Sequence, residues 1–346
     1  MAESGLFDLD NRLESLSQLG DPLENLNQTI LCYCFRPTLT KALKKFRKRN
    51  AGRKLFDSIL MFKIFILQSL YSLSDDQTEY QIKDRLSLTR FLSLQIEDTI
   101  SDAKTLWAFR DKLSQKAAVE KRFKRFNRFL DTEGFVARQR KIIDASIVPV
   151  PIQGNTREEN ESIKQDEAPA ASQSKPHKLP RKHTDARWTK KNGASYFGYK
   201  NHVNTDRKYK LIRDYETTHA AVHDSQVFVS LLDPNNTGKQ FWADSTYLSK
   251  RFDQELKRLN LNNKIYHKGY RDRPLSEAQR RVNKKCSKVR ARVEHVFGYQ
   301  QNSLGGKLVR TVGIVRAKAK IGMMNLAYNM KRYVFLQRLS LSRFVT

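Results

Sequence analysis

Isolated acidic residues within apolar stretches are the part of this sequence that could do chemistry. Asp144 lies in Arg140–Val150, a β-strand pattern of Ile, Val and Ala, and Asp244 lies in a second predicted strand, Gln240–Tyr247. A buried carboxylate is costly unless it is paired, hydrogen-bonded or bound to a metal ion. If the two strands are neighbours, their carboxylates converge and repel each other. Mg²⁺ would relieve that repulsion, because it binds hard oxygen ligands and needs few protein carboxylates.

A third acid follows on a predicted helix. At about 100° per residue, Arg290, Glu294 and Gln301 lie within about 40° of one another, beside the apolar stripe of that helix. An acid in this position could face the sheet while the helix packs on it. Two structural alternatives stay open at this point: Asp144 hydrogen-bonded to a nearby turn, and Arg290 with Glu294 as an ordinary i,i+4 ion pair on a solvent face.

The elements between these acids predict how they are positioned. After the strand of Asp144, the pattern predicts strands Tyr196–Val203 and Tyr209–Thr217, a helix Asp224–Leu232, a strand Lys239–Ser245, a helix Ser249–Leu259 and a strand Ile265–His267. The order β-β-β-α-β-α-β-α is that of a ribonuclease-H-like fold, in which the first and fourth strands lie side by side. We therefore predict an α/β domain with a mixed five-stranded sheet flanked by helices.

A polar stretch separates the first two predicted strands. Residues 154–192 contain few large aliphatic side chains, so we predict a flexible insertion. It ends in Asp185–Gly193, a predicted loop in which Trp188, Lys190 and Lys191 could hold a nucleic-acid backbone and stack a base. The alternative is a surface loop with one packed Trp.

Residues 1–135 predict an all-α domain, and residues 136–346 predict the α/β domain with a basic helical C-terminal end. Ser58–Leu70 is apolar nearly all round and reads as a buried core helix. An earlier amphipathic helix starting near Leu39 carries basic residues on its other face, which predict DNA contacts: Lys44, Lys45, Arg47 and Lys48. The alternative is a set of solvated helix surfaces.

Composition limits the partners of this protein. Lys and Arg total 65 and Asp and Glu total 36, so the net charge is +29, which favours a nucleic acid as partner. A structural basic protein of the ribosomal type fits the charge alone. The basic residues are spread along the chain without a membrane anchor, and no apolar stretch is long enough to span a bilayer. Cys32, Cys34 and Cys286 predict reduced thiols in a cytoplasmic protein, without a disulfide framework or a zinc site.

Four short segments together resemble the catalytic domain of DDE transposases from bacterial insertion sequences, specifically the insertion sequence 5 family. The segments are Ile-Ile-Asp-Ala-Ser, Phe-Gly-Tyr-Lys-Asn-His, Phe-Trp-Ala-Asp-Ser-Thr-Tyr and Arg-Val-Glu-His-Val-Phe-Gly. The helical part, with Thr105–Arg110, resembles the N-terminal domain of those enzymes. The related insertion sequence 4 family has a Tyr-x2-Arg-x3-Glu-x6-Lys signature. This chain keeps its Arg and Glu as Arg290 and Glu294 and has Ser287 and Gln301 at the other two positions.

The resemblance implies a function and a site. Asp144, Asp244 and Glu294 would be the catalytic triad and would hold two Mg²⁺, for which Mn²⁺ is expected to substitute. The enzyme would bind double-stranded DNA, both the terminal inverted repeats and the target, and would cleave and transfer strands as a homodimer on paired ends. It would have no small-molecule substrate, and a cytoplasmic, nucleoid-associated location in a bacterium is expected.

Basic residues outside the triad are candidate contacts to the DNA backbone: Arg290, Lys190, Lys191, Lys200, Lys307, Arg310 and Arg316. His202 shares a strand face with Lys200, so it is either an active-site neighbour or a structural histidine. The alternative function is that of a catalytically inactive DNA-binding regulator derived from such a transposase.

Overall fold

The fold is described here from a computed structural model. The described residues are 7–30, 32–43, 56–115, 117–136, 141–154, 156–164, 182–232, 240–243, 254, 257–258, 262–263, 269 and 274–342. The chain divides into two compact units, one formed by Met1–Arg125 with Leu326–Thr346 and the other by Phe126–Asn325. The predicted domains, 1–135 and 136–346, stay a prediction.

The helical region begins the chain. Its helices are α1 (Asp8–Gln18), α2 (Pro22–Thr29), α3 (Arg36–Leu43), α4 (Ser58–Tyr71), α5 (Asp75–Asp84), α6 (Leu86–Leu92), α7 (Ala103–Gln115) and α8 (Ala118–Thr132). Helix α4 is buried along almost its whole length, as its apolar sequence predicts. Its Lys63 is buried too, and the ammonium group donates a hydrogen bond to the carbonyl oxygen of Phe91 at 2.9 Å. No helix in the described part of the chain is long and apolar enough to cross a membrane.

Local sequence signals set the helix ends in this region. Ser74 and Gln77 form a capping box at the start of α5, and the carboxylate of Asp102 accepts the backbone N–H of Thr105 in α7. Gly134 follows α8 with a φ of +81°, which suits the left-handed position after a helix. Ser74 and Asp102 therefore satisfy backbone N–H groups at the starts of α5 and α7.

The second unit contains the sheet. Its strands are β1 (Lys141–Pro149), β2 (Arg187–Lys191), β3 (Ala194–Asp206), β4 (Ile212–His219), β5 (Gln240–Trp242) and β6 (Asn262–Asn263). The helices that follow α8 are α9 (Arg157–Lys164), α10 (Asp224–Val227), α11 (Glu277–Ser303) and α12 (Ile314–Ser342), and α12 belongs to this unit only up to Asn325. The sheet has six strands in the order β2-β3-β1-β5-β6, with β4 also paired to β3. Strand β1 is antiparallel to β3 and parallel to β5, which confirms that the first and fourth predicted strands are neighbours.

The sixth strand, β2, corrects the predicted count of five. Trp188, Lys190 and Lys191 lie on a β-strand rather than in a loop, paired with the start of β3. Asn192 and Gly193 between them have φ values of +50° and +82°, the left-handed pair that a tight hairpin turn needs. The predicted flexible insertion thus ends in an ordered hairpin, and it also contains α9. The predicted strand Ile265–His267 lies outside the described residues.

The two faces of the sheet are covered by different helices. Asp144 pairs with Val203 and Ala145 pairs with His202, so Asp144 and His202 lie on opposite faces. On the His202 face, Ile143 packs against an apolar cluster from α10 and the turn that follows it, which includes Val227, Phe228 and Leu231. On the Asp144 face, α11 contacts β1 through polar side chains.

Candidate active site

Asp144 is a buried carboxylate in the middle of β1. The residue is only 7% exposed. Its Oδ1 accepts the backbone N–H of Ala145 at 2.9 Å, and its Oδ2 accepts two hydrogen bonds from Arg290, from Nε at 3.1 Å and from Nη2 at 3.0 Å. Burial raises the pKa of Asp144, while the positive charges of Arg290 and Lys191 and the Ala145 N–H oppose that rise.

Helix α11 brings Arg290 to Asp144. A capping box of Ser276 and Gln279 starts the helix, and its buried residues Val289, Val293 and Val296 follow helical spacing. Apolar burial on one stripe leaves the neighbouring flank to face the polar side chains of β1. The pairing with Asp144 corrects the sequence-based view of two acids without a cationic partner, and it gives Arg290 a partner other than DNA.

Glu294 lies on the same flank of α11, between two contacts to β1. Arg290 bonds to Asp144, and Gln301 Nε2 donates to the hydroxyl of Ser146 at 3.2 Å. Asp144 and Ser146 point to the same face of β1 because strand residues alternate. Glu294 follows Arg290 by one turn, is exposed, and forms no hydrogen bond or ion pair with the described residues. The helix flank that carries Glu294 is therefore fixed to the Asp144 face at both of its ends.

A buried cluster of three amides anchors α11 beside this site. Asn201 of β3 donates to Asn325 of α12 at 2.9 Å and accepts from it at 3.1 Å, and Gln300 of α11 donates to Asn325 at 2.7 Å. All three residues are at most 2% exposed. Because a buried amide without partners is costly, this cluster favours one position of α11 on the sheet. Sequence reasoning missed it, since the three residues are far apart in the chain.

The described residues of the site offer the type of ligand that a divalent cation binds, but they are too few to form a metal site by themselves. Asp144 and Glu294 supply carboxylate oxygens, the ligand type that Mg²⁺ and Mn²⁺ prefer, and the burial of Asp144 calls for a positive neighbour. Asp244 lies outside the described residues. Among the residues that are described, no group of three or more His, Cys, Asp or Glu side chains could hold a metal ion.

Lys200 and His202 are on the other face of the sheet, away from Asp144. Lys200 donates to Asp224 at 2.9 Å and to the carbonyl oxygen of Val222 at 2.8 Å, so its ammonium group is engaged within the protein. His202 is fully buried and its Nε2 is 2.9 Å from the hydroxyl of Thr218. Burial lowers the pKa of His202 to about 4. His202 is therefore a structural histidine, and Lys200 has partners within the protein, while its contact to a DNA phosphate stays a prediction.

Most of the other predicted contact residues are exposed, and several lie near the C-terminal end of β1. Trp188 packs against Phe197 and is 49% exposed, and Lys190 and Lys191 are exposed on the same hairpin. Lys307 and Arg310 are exposed in the segment after α11, and Arg316 is half-buried in α12. The backbone N–H of Val309 in that segment donates to the carbonyl oxygen of Pro149 at 2.9 Å. The predicted contacts Lys44, Lys45, Arg47 and Lys48 lie outside the described residues.

A second buried carboxylate, Asp206, was not predicted. It lies at the end of β3, where its side chain accepts the backbone N–H groups of Tyr209 at 2.5 Å and Leu211 at 3.2 Å, and Nε of Arg213 at 3.3 Å. Burial raises the pKa of Asp206, and these donors oppose the rise. Its position just before the turn between β3 and β4 is the signal that could have identified it as a turn-forming acid.

Comparison with protein families assigns both parts of the chain. Residues 137–330 match the model described as "Transposase DDE domain", and residues 11–112 match the model described as "Transposase domain (DUF772)". No solved structure gives a significant match. The first match covers more than half of the chain and contains β1, the hairpin and α11, the elements that carry Asp144 and Glu294. The chain therefore belongs to the DDE transposases of insertion sequences.

Proposed function

We propose that this transposase binds the terminal inverted repeats of an insertion sequence of the insertion sequence 5 family, cleaves the element ends and joins them to target DNA. Asp144, Asp244 and Glu294 would hold two Mg²⁺ in a ribonuclease-H-like domain. The observation that carries the proposal is the position of α11, whose flank contacts the Asp144 face of β1 on both sides of Glu294.

The strand register supports the inclusion of Asp244. Strands β1 and β5 are parallel, and Ile142 pairs with Trp242. Asp144 and Asp244 each follow that pair by two residues in the sequence. The parallel register therefore brings together the two strand segments that lead to these acids, which supports the proposal that both belong to one site.

The protein residues would divide the chemical work. When bound, the two ions would activate the attacking water or 3′-hydroxyl and stabilise the leaving oxygen during in-line attack. Asp144 contributes a carboxylate whose burial strengthens its attraction for a cation, and α11 holds Glu294 at a fixed place. The same carboxylates would serve hydrolysis first and strand transfer second, because both steps are attacks on a phosphodiester.

The basic residues at the end of β1 would position the DNA. The hairpin with Trp188, Lys190 and Lys191 begins where β1 ends, since Pro149 pairs with Gly198 and Gly198 pairs with Arg187. The segment with Lys307 and Arg310 reaches the same strand end. Both segments would neutralise backbone phosphates, and a homodimer would hold the two element ends together.

The test removes each acid separately. Asp144→Ala, Asp244→Ala and Glu294→Ala should each keep binding to the terminal repeat and lose Mg²⁺-dependent cleavage. Glu277→Ala is the matched control, because Glu277 is an exposed acid in the first turn of the same helix as Glu294. Binding would be measured by gel shift and cleavage on a labelled repeat duplex. Wild-type cleavage by one of the three variants would exclude that residue from the triad.

A second candidate function, a catalytically inactive DNA-binding regulator, is favoured by one observation. The ion pair of Asp144 with Arg290 satisfies the carboxylate without a metal ion, as a purely structural pair would. Nicking of a supercoiled plasmid that carries the element ends separates the two candidates. A nicked product that requires Mg²⁺ supports the enzyme, whereas specific binding without nicking supports the regulator.

A further inference from the structure

The oxygen of Asp144 that a metal ion would bind already has a cationic neighbour. Nε and Nη2 of Arg290 both donate to Oδ2, at 3.1 Å and 3.0 Å, and Oδ1 is held by the N–H of Ala145. Oδ2 is thus the oxygen of Asp144 without a backbone donor. A divalent cation that binds Asp144 would compete with the guanidinium group for this oxygen.

We propose that Arg290 and a divalent ion compete for Oδ2 of Asp144, so that binding of the ion releases the guanidinium group of Arg290 towards a DNA phosphate. This inference rests on the proposed metal site of Asp144. A guanidinium group and a divalent ion repel each other at contact distance, so the two would bind the same oxygen alternately. Arg290 would then link metal binding to phosphate binding.

The position of α11 does not depend on the Arg290 side chain alone. The backbone of α11 is anchored by the Gln300 amide cluster and by the Gln301 contact to Ser146. The side chain of Arg290 is 19% exposed, so one edge of it reaches solvent. A rotation about its side-chain bonds can therefore move the charge while α11 keeps Glu294 in place. A guanidinium group also binds phosphate in the same paired geometry as carboxylate.

Two neighbouring cations on α11 have other surroundings. Nη1 of Arg292 donates to the carbonyl oxygen of Arg207 at 2.5 Å, and Lys288 is exposed on the same helix. Lys288 therefore offers a matched control, since its removal takes one positive charge from the helix without breaking a contact to Asp144. A general effect of charge on metal affinity would appear in both variants, whereas a direct exchange would appear only at Arg290.

The test is a titration of the full chain with Mn²⁺ in the absence of DNA. Binding is measured by calorimetry or from the electron paramagnetic resonance signal of free Mn²⁺. Arg290→Gln should bind Mn²⁺ at least about tenfold more tightly than the wild type, because one competing cation is removed. Lys288→Gln should stay within about twofold, because its charge is solvent-screened. Asp144→Asn should lose the site.

Each result has a distinct meaning. Wild-type or weaker Mn²⁺ affinity of Arg290→Gln, with the site lost in Asp144→Asn, would overturn the exchange and leave the proposed function intact. Unchanged binding by Asp144→Asn would overturn both. If Arg290→Gln fails to fold, Arg290→Lys decides, because one ammonium group cannot form the paired hydrogen bonds. That variant should also bind Mn²⁺ more tightly than the wild type, and equal affinity would contradict the exchange.

Discussion

Asp144 and Asp206 are both buried carboxylates on neighbouring strands, and each is paired with an arginine, yet their surroundings differ. Asp206 accepts two N–H groups from the turn that follows it, in addition to Arg213. Asp144 accepts one N–H, from the next residue, and its other oxygen bonds to a side chain from a distant helix. The difference indicates that Asp206 is held by its own turn and is structural, whereas the partner of Asp144 can be exchanged.

The largest expected effect is on the rate of DNA cleavage, which should fall in a variant of Asp144 and not in a variant of Asp206. Asp144→Asn should reduce DNA cleavage by at least about a thousandfold, as the loss of a central catalytic group does. Asp206→Asn should cleave at nearly the wild-type rate at temperatures where it is folded, because Asp206 lies at the opposite end of the β1–β3 pairing from the basic segments. Both rates would be measured on a labelled repeat duplex. Loss of cleavage by folded Asp206→Asn would break the distinction.

The arginine partners give the next test. Arg213→Ala and Arg290→Ala should each reduce the free energy of unfolding by about 3–5 kcal/mol, because each leaves a buried carboxylate without its positive partner. Millimolar Mg²⁺ should restore the stability of Arg290→Ala, since the ion can replace the guanidinium at Asp144, and should not restore that of Arg213→Ala. Urea unfolding with and without Mg²⁺ measures this. Equal rescue of both variants would contradict the comparison.

His202, on the other face of the sheet, provides the pH test. Its pKa is lowered from 6.5 to about 4, so between these pH values the unfolded chain binds more protons than the folded protein. The stability from neutral His202 is fully present above pH 6.5 and is lost as the pH falls towards 4, by up to about 3 kcal/mol. His202→Gln should lack this acid-dependent loss in melting experiments from pH 7 to 4.5.

That pH profile also separates His202 from the two aspartates. Burial raises the pKa values of Asp144 and Asp206, so their contribution to stability is present below pH 3.8 and is lost as the pH rises through their folded pKa values. The aspartates and His202 therefore change the free energy of unfolding with pH in opposite directions. A His202→Gln variant with the same acid-dependent loss as the wild type would assign that loss to other groups.

The smallest effect concerns the predicted DNA contacts near the C-terminal end of β1, compared with a lysine near its other end. Lys190→Ala with Lys191→Ala should weaken repeat binding and reduce the slope of log affinity against log salt by about 0.9 per lysine. Lys208→Ala is the control, because this exposed lysine lies beside Asp206, at the other end of the β1–β3 pairing. Fluorescence anisotropy at several salt concentrations measures both. An equal change in the control would mean that general charge, rather than position, determines binding.

Local patterns predicted much of this architecture. The alternation around Asp144 predicted β1, and the apolar run from Ser58 predicted α4. The predicted helical flank with Arg290, Glu294 and Gln301 agrees with the contacts of α11 to β1. These features depend on residues that are close in the sequence. Their period of two or 3.6 residues is therefore visible without knowledge of the fold.

Features that depend on register or on distant partners were missed. The sequence places Lys200 and His202 on one strand face but does not say that Asp144 is on the other, because that requires the pairing of Ala145 with His202. The ion pair of Asp144 with Arg290 was missed for the same reason. Strand β2 is short and basic and lacks apolar alternation, and only its Asn-Gly turn could have indicated a hairpin.

The amide cluster of Asn201, Gln300 and Asn325 has a consequence for how such an enzyme can diverge. A change of one member alone leaves the others with unmet hydrogen bonds in a buried position, which disfavours movement of α11 along β3 by small steps. We therefore expect an insertion between Glu294 and Gln301 to be poorly tolerated, because it would change the spacing of the contacts that α11 makes. Relatives that differ in length should therefore keep the helix spacing and vary in the loops that lead to it.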